Sequence, residues 1–518
     1  MNGAHALIRT LVACDVDVCF TNPGTSEMHF VAALDDVPEM RGILGLFEGV
    51  VTGAADGYAR VAGKPAATLL HLGPGLGNGW ANLHNARRAH TPVLNIVGDH
   101  ALPHKELDAP LESDIEAIAG AVSGGMRTSA SSEDVAQDTA EAVRAAMGPP
   151  GQFATLILPA DVSWSEARGP AEPTTAPTPV EVDDDVLAGA RDALQSDAAV
   201  AVLVGGRVVA DEPGLVAAAR VGAATGATVM CETFPARLAR GEGLPPMDRL
   251  AYLSEFAQMQ LAEVAHLIVV DAKAPVSFFA YPDKASVLTP DGCQIHDLVG
   301  AGVDPVAALE ALADALDAPA DVARAEAARP AAPSGELTAQ TMAEALGHLL
   351  PEGAIVADEG NTGGLFVPGA TAGCPRHDWL TLTGGSIGFG LPVATWAAVA
   401  APDRKVVCLE SDGSAMYTIQ ALWTQAREGL DVTTIILNNR SYAILNMELE
   451  RVGATEPGPT ALSMLDLRRP DMDFCALAQG MGVPAERATD AGGFTAALER
   501  ALAIPGPALV EAILPATL

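Results

Sequence analysis

Two oxygen-bearing side chains, Asp412 and Asn439, stand 27 residues apart in the stretch Ser411-Asp412-Gly413-Ser414 to Asn438-Asn439. The intervening sequence fits one strand–helix–strand unit. Arg404–Glu410 (RKVVCLE) reads as a buried strand and Val432–Leu437 (VTTIIL) as the next. Between them, Ala415–Gly429 reads as a helix, with Met416, Ile419, Leu422 and Trp423 on one stripe and Gly429 as its stop. A right-handed crossover lays the two strands parallel and brings Asp412 and Asn439 to their carboxyl ends, where open α/β sheets bind ligands. The helix start points free N–H groups at the same place, which favours phosphate. A carboxylate, an amide oxygen and a phosphate make a hard-oxygen set suited to magnesium. An ordinary strand–helix–strand unit with a polar turn would carry the same local pattern.

Other groups could do chemistry at similar strand ends. Glu48 follows the apolar run Gly42–Phe47 and opens a helix that continues through Arg60; a glutamate there also simply suits the helix dipole. His71 ends the strand Ala66–His71, and an imidazole titrating near neutrality can move protons, although a lone histidine is also a common structural residue. The glycine-rich run Gly73–Gly79 reads as a loop after that strand. It fails the dinucleotide pattern G-x-G-x-x-G because position 78 is Asn, which disfavours a nicotinamide site. Thr25 lies in Asn22–Glu27, where Thr25 or Ser26 could equally cap a helix. Asp99, His100 and His104 follow the strand Val93–Val97 and share that edge. Asn361 and Thr362 follow the strand Ile355–Ala357, and Thr383–Pro392 is a further glycine-rich stretch.

The elements that must position these residues fall into three groups. The chain has 518 residues, enough for several domains. Arg168–Asp185 and Ala318–Glu336 are rich in Pro and Ala and read as extended connectors. They divide the chain into 1–167, 186–317 and 337–518, and each piece alternates apolar strand-like runs with helical patterns, the signature of parallel α/β sheets. The hydrophobic content of 49% is ample for large cores, and the net charge of −35 argues against nucleic acid and against an anionic membrane surface. Seven cysteines without CxxC spacing read as reduced residues of a cytoplasmic protein. The N-terminal apolar residues are broken by Arg9, Asp15 and Asp17, unlike a signal peptide, and no apolar run is long enough to span a bilayer.

The Asp412 to Asn439 pattern resembles the cofactor motif of thiamine diphosphate (ThDP) enzymes, with Ser411 where the family carries Gly. The resemblance extends over the whole chain and implies three doubly wound parallel-sheet domains: an aminopyrimidine-binding (PYR) domain, a central Rossmann-like domain and a diphosphate-binding (PP) domain. It implies that Asp412, Asn439 and the Ser441 carbonyl hold Mg²⁺, and that Gly413, Ser414, Asn361 and Thr362 contact the cofactor's diphosphate end. The Gly385 carbonyl would accept from its aminopyrimidine, and Ile387 would be the apolar wedge that bends it. Asn361, Ile387 and Asp412 lie 26 and 25 residues apart, in register with benzoylformate decarboxylase. Phe-Glu-Gly through Ala-Asp-Gly-Tyr-Ala-Arg resembles the segment with the family's essential glutamate, so Glu48 is expected to activate the cofactor. His71 resembles a catalytic histidine of benzoylformate decarboxylase, and Thr25 matches that enzyme's substrate-carboxylate serine; Gly-Pro-Gly at 73–75 resembles acetolactate synthases.

Two departures narrow the expectation. The stretch Ala274–Pro282 has no histidine where benzoylformate decarboxylase has its second one, while Phe278, Phe279 and Tyr281 there could face a pocket or belong to the core. The Arg-Phe-Asp-Asp-Arg stretch of FAD-dependent acetolactate synthases has no counterpart, so FAD is not expected. The resemblance thus implies an enzyme that decarboxylates a 2-oxo acid and protonates or ligates the resulting enamine. Its partners would be a small-molecule substrate and a second copy, with a homodimer as the minimal active unit and a homotetramer as the assembly. The alternatives are a ThDP-dependent lyase or hydrolase of a 2-hydroxyacyl or diketone substrate, and a non-catalytic ThDP-binding subunit.

Overall fold

The computed structural model describes all residues except Ala176, Pro177, Thr455, Thr517 and Leu518; the first two belong to the expected first connector and lie outside the described residues. Three mostly parallel sheets organise the chain. The first runs, in spatial order, Arg41–Leu44, Val18–Thr21, Ala66–His71, Val93–Asp99, Phe153–Pro159 and Gly125–Thr128. The second runs Asp248–Arg249, Thr228–Cys231, Val200–Val204, His266–Val270 and Gln294–Asp297. The third runs Ala485–Ala488, Ala508–Ile513, Val432–Asn438, Val406–Ser411, Ile355–Glu359 and His377–Thr381. A seventh strand of this sheet, Arg237–Arg240, comes from the middle of the chain and pairs antiparallel with His377–Thr381. Among the described residues no helix is long and apolar enough to cross a membrane.

The central strands are buried end to end, as in Phe153–Pro159 and Val432–Asn438. This is the consequence of covering a parallel sheet with helices on both faces. Strands such as Gly125–Thr128 and His377–Thr381 carry charged residues and give no apolar run, so periodicity does not announce them.

The first and third sheets are joined by two helices, Glu48–Ala62 and Gly390–Ala400. Their contact depends on missing side chains: a Cβ on Gly57 would lie 2.5 Å from the Val393 carbonyl oxygen, and one on Gly53 2.7 Å from Pro392. Trp396 of the second helix is fully buried in the core of the first sheet, its ring 4.3 Å from that of Phe20. Burying one tryptophan there contributes roughly 4–6 kcal/mol. The start of each helix therefore sits at a fixed place relative to the other.

Two expected elements differ. The helix expected at Ala415–Gly429 begins three residues earlier, as Asp412–Thr418, and resumes as Ala421–Glu428 with Gly429 as its left-handed cap. At the break the Thr418 hydroxyl donates to the Gly388 carbonyl at 3.1 Å. The expected apolar stripe consequently splits: Ile419 and Leu422 are buried and Met416 is exposed. The run Gly73–Gly79 is no loop but part of the helix Leu72–Arg88, entered through Leu72 at φ 50°. Its glycines permit close packing, because a Cβ on Gly79 would lie 2.7 Å from Thr52 and one on Gly73 2.0 Å from Ser113.

Candidate active site

The strands Val406–Ser411 and Val432–Asn438 are parallel neighbours, with Ser411 level with Leu437. That register puts Asp412 and Asn439 just beyond adjacent strand tips. The Asp412 carboxylate accepts from the Gly413 N–H at 2.8 Å and the Arg440 N–H at 2.6 Å, and Asn439 Oδ1 accepts from the Ser441 N–H at 3.0 Å. Burial pushes the Asp412 carboxyl up to about 6, while those amides pull it down. A dehydrated carboxylate at one strand tip and an amide oxygen at the next are oxygen donors that fit a hard divalent cation, and a cation would hold that carboxylate charged.

A cluster of polar side chains is built around the same tips. Asn361, in the left-handed region at φ 44°, donates its amide to the Ser411 hydroxyl at 3.1 Å and the Ser414 hydroxyl at 3.3 Å. Ser411 in turn donates to the Glu359 carbonyl at 3.0 Å. Ser411 itself has φ −77°, which any residue adopts, so replacing the family glycine costs the backbone nothing. A cavity of about 370 Å³ opens beside Thr362, Gly363 and Asn439.

A second feature is the loop with Gly385 and Ile387. Gly385 has φ 71° and Gly388 φ 90°, positions that favour glycine. Ile387 is half-buried against the core of the third sheet. Two acids fix the loop's continuation. Glu359 accepts from the N–H groups of Gly388, Phe389 and Gly390 at 2.8, 2.7 and 2.6 Å, and Glu410 from that of Leu391 at 3.0 Å. These residues face each other on adjacent strands and are fully buried, so burial raises both, Glu359 to about 7 and Glu410 further. On the other side, Asn85 donates to the Ser386 carbonyl at 2.8 Å and accepts from its N–H at 3.2 Å.

Glu48 opens its helix as expected and is 7% exposed. Its Oε2 accepts from the Asn78 side chain at 3.0 Å, and a Cβ on Gly75 would come within 3.3 Å of Oε1. Asn82 donates to the Gly49 carbonyl at 2.8 Å and the Gly388 carbonyl at 3.1 Å, so one amide ties the Glu48 turn to the loop after Ile387. Asn78, Asn82 and Asn85 are spaced four and three apart, one face of the helix Leu72–Arg88. That stripe is visible in the sequence, but reading the segment as a loop concealed it.

His71 stands at its strand end beside a partner that sequence reading missed. Its Nδ1 lies 2.8 Å from Glu27 Oε2 and 3.4 Å from the Ser26 hydroxyl. Glu27 is 1% exposed and also accepts from the Gly24 N–H at 2.7 Å. The cap of this turn is thus Gly24 with Glu27, not Thr25 or Ser26; Thr25 is exposed, one residue from the serine that reaches His71. Asp99 binds Lys105 at 2.6 Å, and the His100 and His104 rings lie 5.2 Å apart, a separate cluster on the same edge. In the middle segment, Tyr281 donates to Glu448 at 2.6 Å, Phe279 is exposed, and Phe278 lies against Phe234 and Tyr252.

The chain as a whole is similar to known proteins. A model described as "Thiamine pyrophosphate enzyme, N-terminal TPP binding domain" fits residues 1–118, and its C-terminal counterpart fits 369–512. A Mycobacterium tuberculosis protein named "Putative acetolactate synthase large subunit IlvX" is 59% identical over 99% of both chains. The benzoylformate decarboxylase of Pseudomonas aeruginosa is 31% identical over 95% of both. Among solved structures, a thiamine diphosphate-dependent 4-hydroxybenzoylformate decarboxylase of Rhodococcus jostii RHA1 superposes with a TM-score of 0.85, at 25% identity and 99% coverage of both chains. With relatives of that likeness along its full length, the chain belongs to the thiamine pyrophosphate enzyme family and is a ThDP-dependent enzyme of the acetolactate synthase and benzoylformate decarboxylase type.

Proposed function

We propose that this enzyme decarboxylates a 2-oxo acid, using ThDP anchored through Mg²⁺, and releases an aldehyde or joins the two-carbon or larger remnant to a second carbonyl. The observation that carries the reading is the pairing of Asp412 and Asn439 at adjacent strand tips, together with an intact Glu48 held by Asn78. When bound, ThDP supplies the carbanion chemistry that lets a 2-oxo acid lose carbon dioxide. The protein's part is positioning and proton transfer. Asp412, Asn439 and the Ser441 carbonyl would hold the metal; Asn361, Thr362, Gly413 and Ser414 would hold the diphosphate. Glu48 would hold or receive a proton at the pyrimidine ring, Gly385 would accept from it, and Ile387 would bend the cofactor. His71, oriented by Glu27, would move a proton at the substrate, with Ser26 and Thr25 near its carboxylate.

A second copy of the chain would complete the site. Leu365, Phe366, Met416 and Tyr417 surround the phosphate end with exposed apolar side chains, the kind of surface a subunit interface covers.

The test combines cofactor binding with product analysis. Calorimetry should show ThDP affinity that requires Mg²⁺, and a panel of 2-oxo acids should yield CO₂ with aldehyde or 2-hydroxyketone. Glu48→Gln should lower turnover at least about a hundredfold while ThDP still binds. No CO₂ from any acid, with ThDP bound, would reject decarboxylation and favour the lyase or binding-subunit readings.

A further inference from the structure

Asn438, the chain neighbour of the proposed metal ligand Asn439, is 3% exposed and bonded at both ends of its amide. Its Nδ2 donates to Glu511 Oε1 at 2.7 Å, and its Oδ1 accepts from the Arg440 N–H at 3.2 Å. That same N–H reaches Asp412 Oδ2 at 2.6 Å, so it is shared between the two strand tips. Arg440 has φ 59°, a left-handed conformation that residues other than glycine seldom adopt. The shared N–H therefore holds a turn of unusual backbone shape, the one that carries Asn439 and Ser441, against Asp412.

Glu511 comes from the strand Ala508–Ile513, which pairs with Val432–Asn438 on one side and with Ala485–Ala488 on the other. It is fully buried, where a carboxylate needs close polar partners. Arg487, directly opposite it on the edge strand, donates Nε to Glu511 Oε2 at 2.8 Å and Nη2 to Asp473 at 2.8 Å. A polar line thus crosses three strands, from an arginine at the sheet's edge to the Asp412 tip. An asparagine amide has a donor at one end and an acceptor at the other, in nearly the same shape. A carboxylate paired with an arginine offers only acceptors, which settles how Asn438 points: its NH₂ must face Glu511, and its oxygen is left for the Arg440 N–H. A glutamine at 511 could accept or donate and would impose no such choice.

We propose that Glu511, paired with Arg487, is a positioning residue for the metal: it acts through Asn438 to hold the Asn439–Ser441 turn against Asp412 before the ion arrives. The proposal rests on the reading that Asp412, Asn439 and the Ser441 carbonyl hold Mg²⁺. Groups that orient metal ligands from behind typically contribute about 10–100-fold in metal affinity.

The test titrates Mg²⁺ into the full chain with excess ThDP, read by calorimetry, beside the melting temperature of the protein free of metal and cofactor. Glu511→Gln should weaken Mg²⁺ binding about 10–100-fold. Asn438→Ala leaves the Glu511–Arg487 pair intact and should weaken it to a similar extent, which keeps the proposal falsifiable if Glu511→Gln does not fold. In the double variant the two losses should not add, because each breaks the same path. A merely structural role for Glu511 would lower the melting temperature and leave the Mg²⁺ affinity where it was. With a wild type whose ThDP binding requires Mg²⁺, an unchanged Mg²⁺ affinity in either single variant, or fully additive losses in the double variant, would overturn this proposal alone. A wild type that binds ThDP equally well without Mg²⁺ would overturn the reading of the metal site and this proposal with it.

Discussion

Glu27 and Asn78 act on the two residues that carry the proposed proton chemistry. Glu27 reaches His71 at 2.8 Å from the short turn Thr25–Glu27, and Asn78 reaches Glu48 at 3.0 Å from the helix Leu72–Arg88. Glu27→Gln keeps the size of the side chain but removes the charge that faces the imidazole. It is expected to lower kcat/KM about ten- to a hundredfold with ThDP affinity unchanged, measured by steady-state kinetics and calorimetry. Asp412→Ala removes the only side-chain anion of the proposed metal set and should erase the Mg²⁺ dependence of ThDP binding outright. Asp412 and Glu48 were visible in the sequence as types at characteristic spacings. Glu27 was not, because its contact to His71 spans 44 residues and depends on how one short turn lies over a neighbouring strand.

Helices set the geometry one level up. The Glu48 helix and the helix Gly390–Ala400 touch through Gly57, where an added methyl meets backbone rather than a flexible side chain. Gly57→Ala should therefore destabilise the protein by about 1–3 kcal/mol in denaturant unfolding and lower turnover as well, since both helix starts move. The strand His377–Thr381 offers a pH prediction. His377 is 3% exposed; its Nδ1 faces the Pro375 carbonyl at 2.8 Å, and its Nε2 is buried without a partner. Burial lowers this imidazole from 6.5 to about 4. The unfolded chain thus binds a proton that the folded chain does not. The stability from the neutral ring is present above pH 6.5 and is lost as pH falls through about 4, a loss of about 3 kcal/mol. In urea melts between pH 7 and pH 4, His377→Gln should show that much less acid sensitivity.

Across the whole molecule, one side chain connects all three parts. Arg60 is paired with Asp56 at 2.6 Å, both almost fully buried, and its guanidinium also donates to the carbonyls of Ala236 and Thr381 and to the Thr383 hydroxyl. These partners come from the first sheet's helix, the middle of the chain and the third sheet's loop. Arg60→Leu would strand the Asp56 carboxylate and should cost about 3–5 kcal/mol of stability. Lysine should rescue it only in part, because it lacks the planar fork. Calorimetric melting of the two variants checks both expectations.

By itself the sequence determined which strands are buried, the three-part alternation of strands and helices, and the residue types at strand ends from which the cofactor motif is read. These follow from local periodicity and from short fixed spacings. Tertiary structure alone decided that Glu359 and Glu410 face each other across adjacent strands, that Glu27 meets His71, that the Gly73–Gly79 run is helical, and that Glu232 and Asp271 accept from the Gly206 and Arg207 N–H groups. Each of these arises where chain segments distant in sequence converge at sheet edges or across helix faces, and the free energy that fixes them comes from burial and hydrogen bonding between segments, which no local pattern encodes.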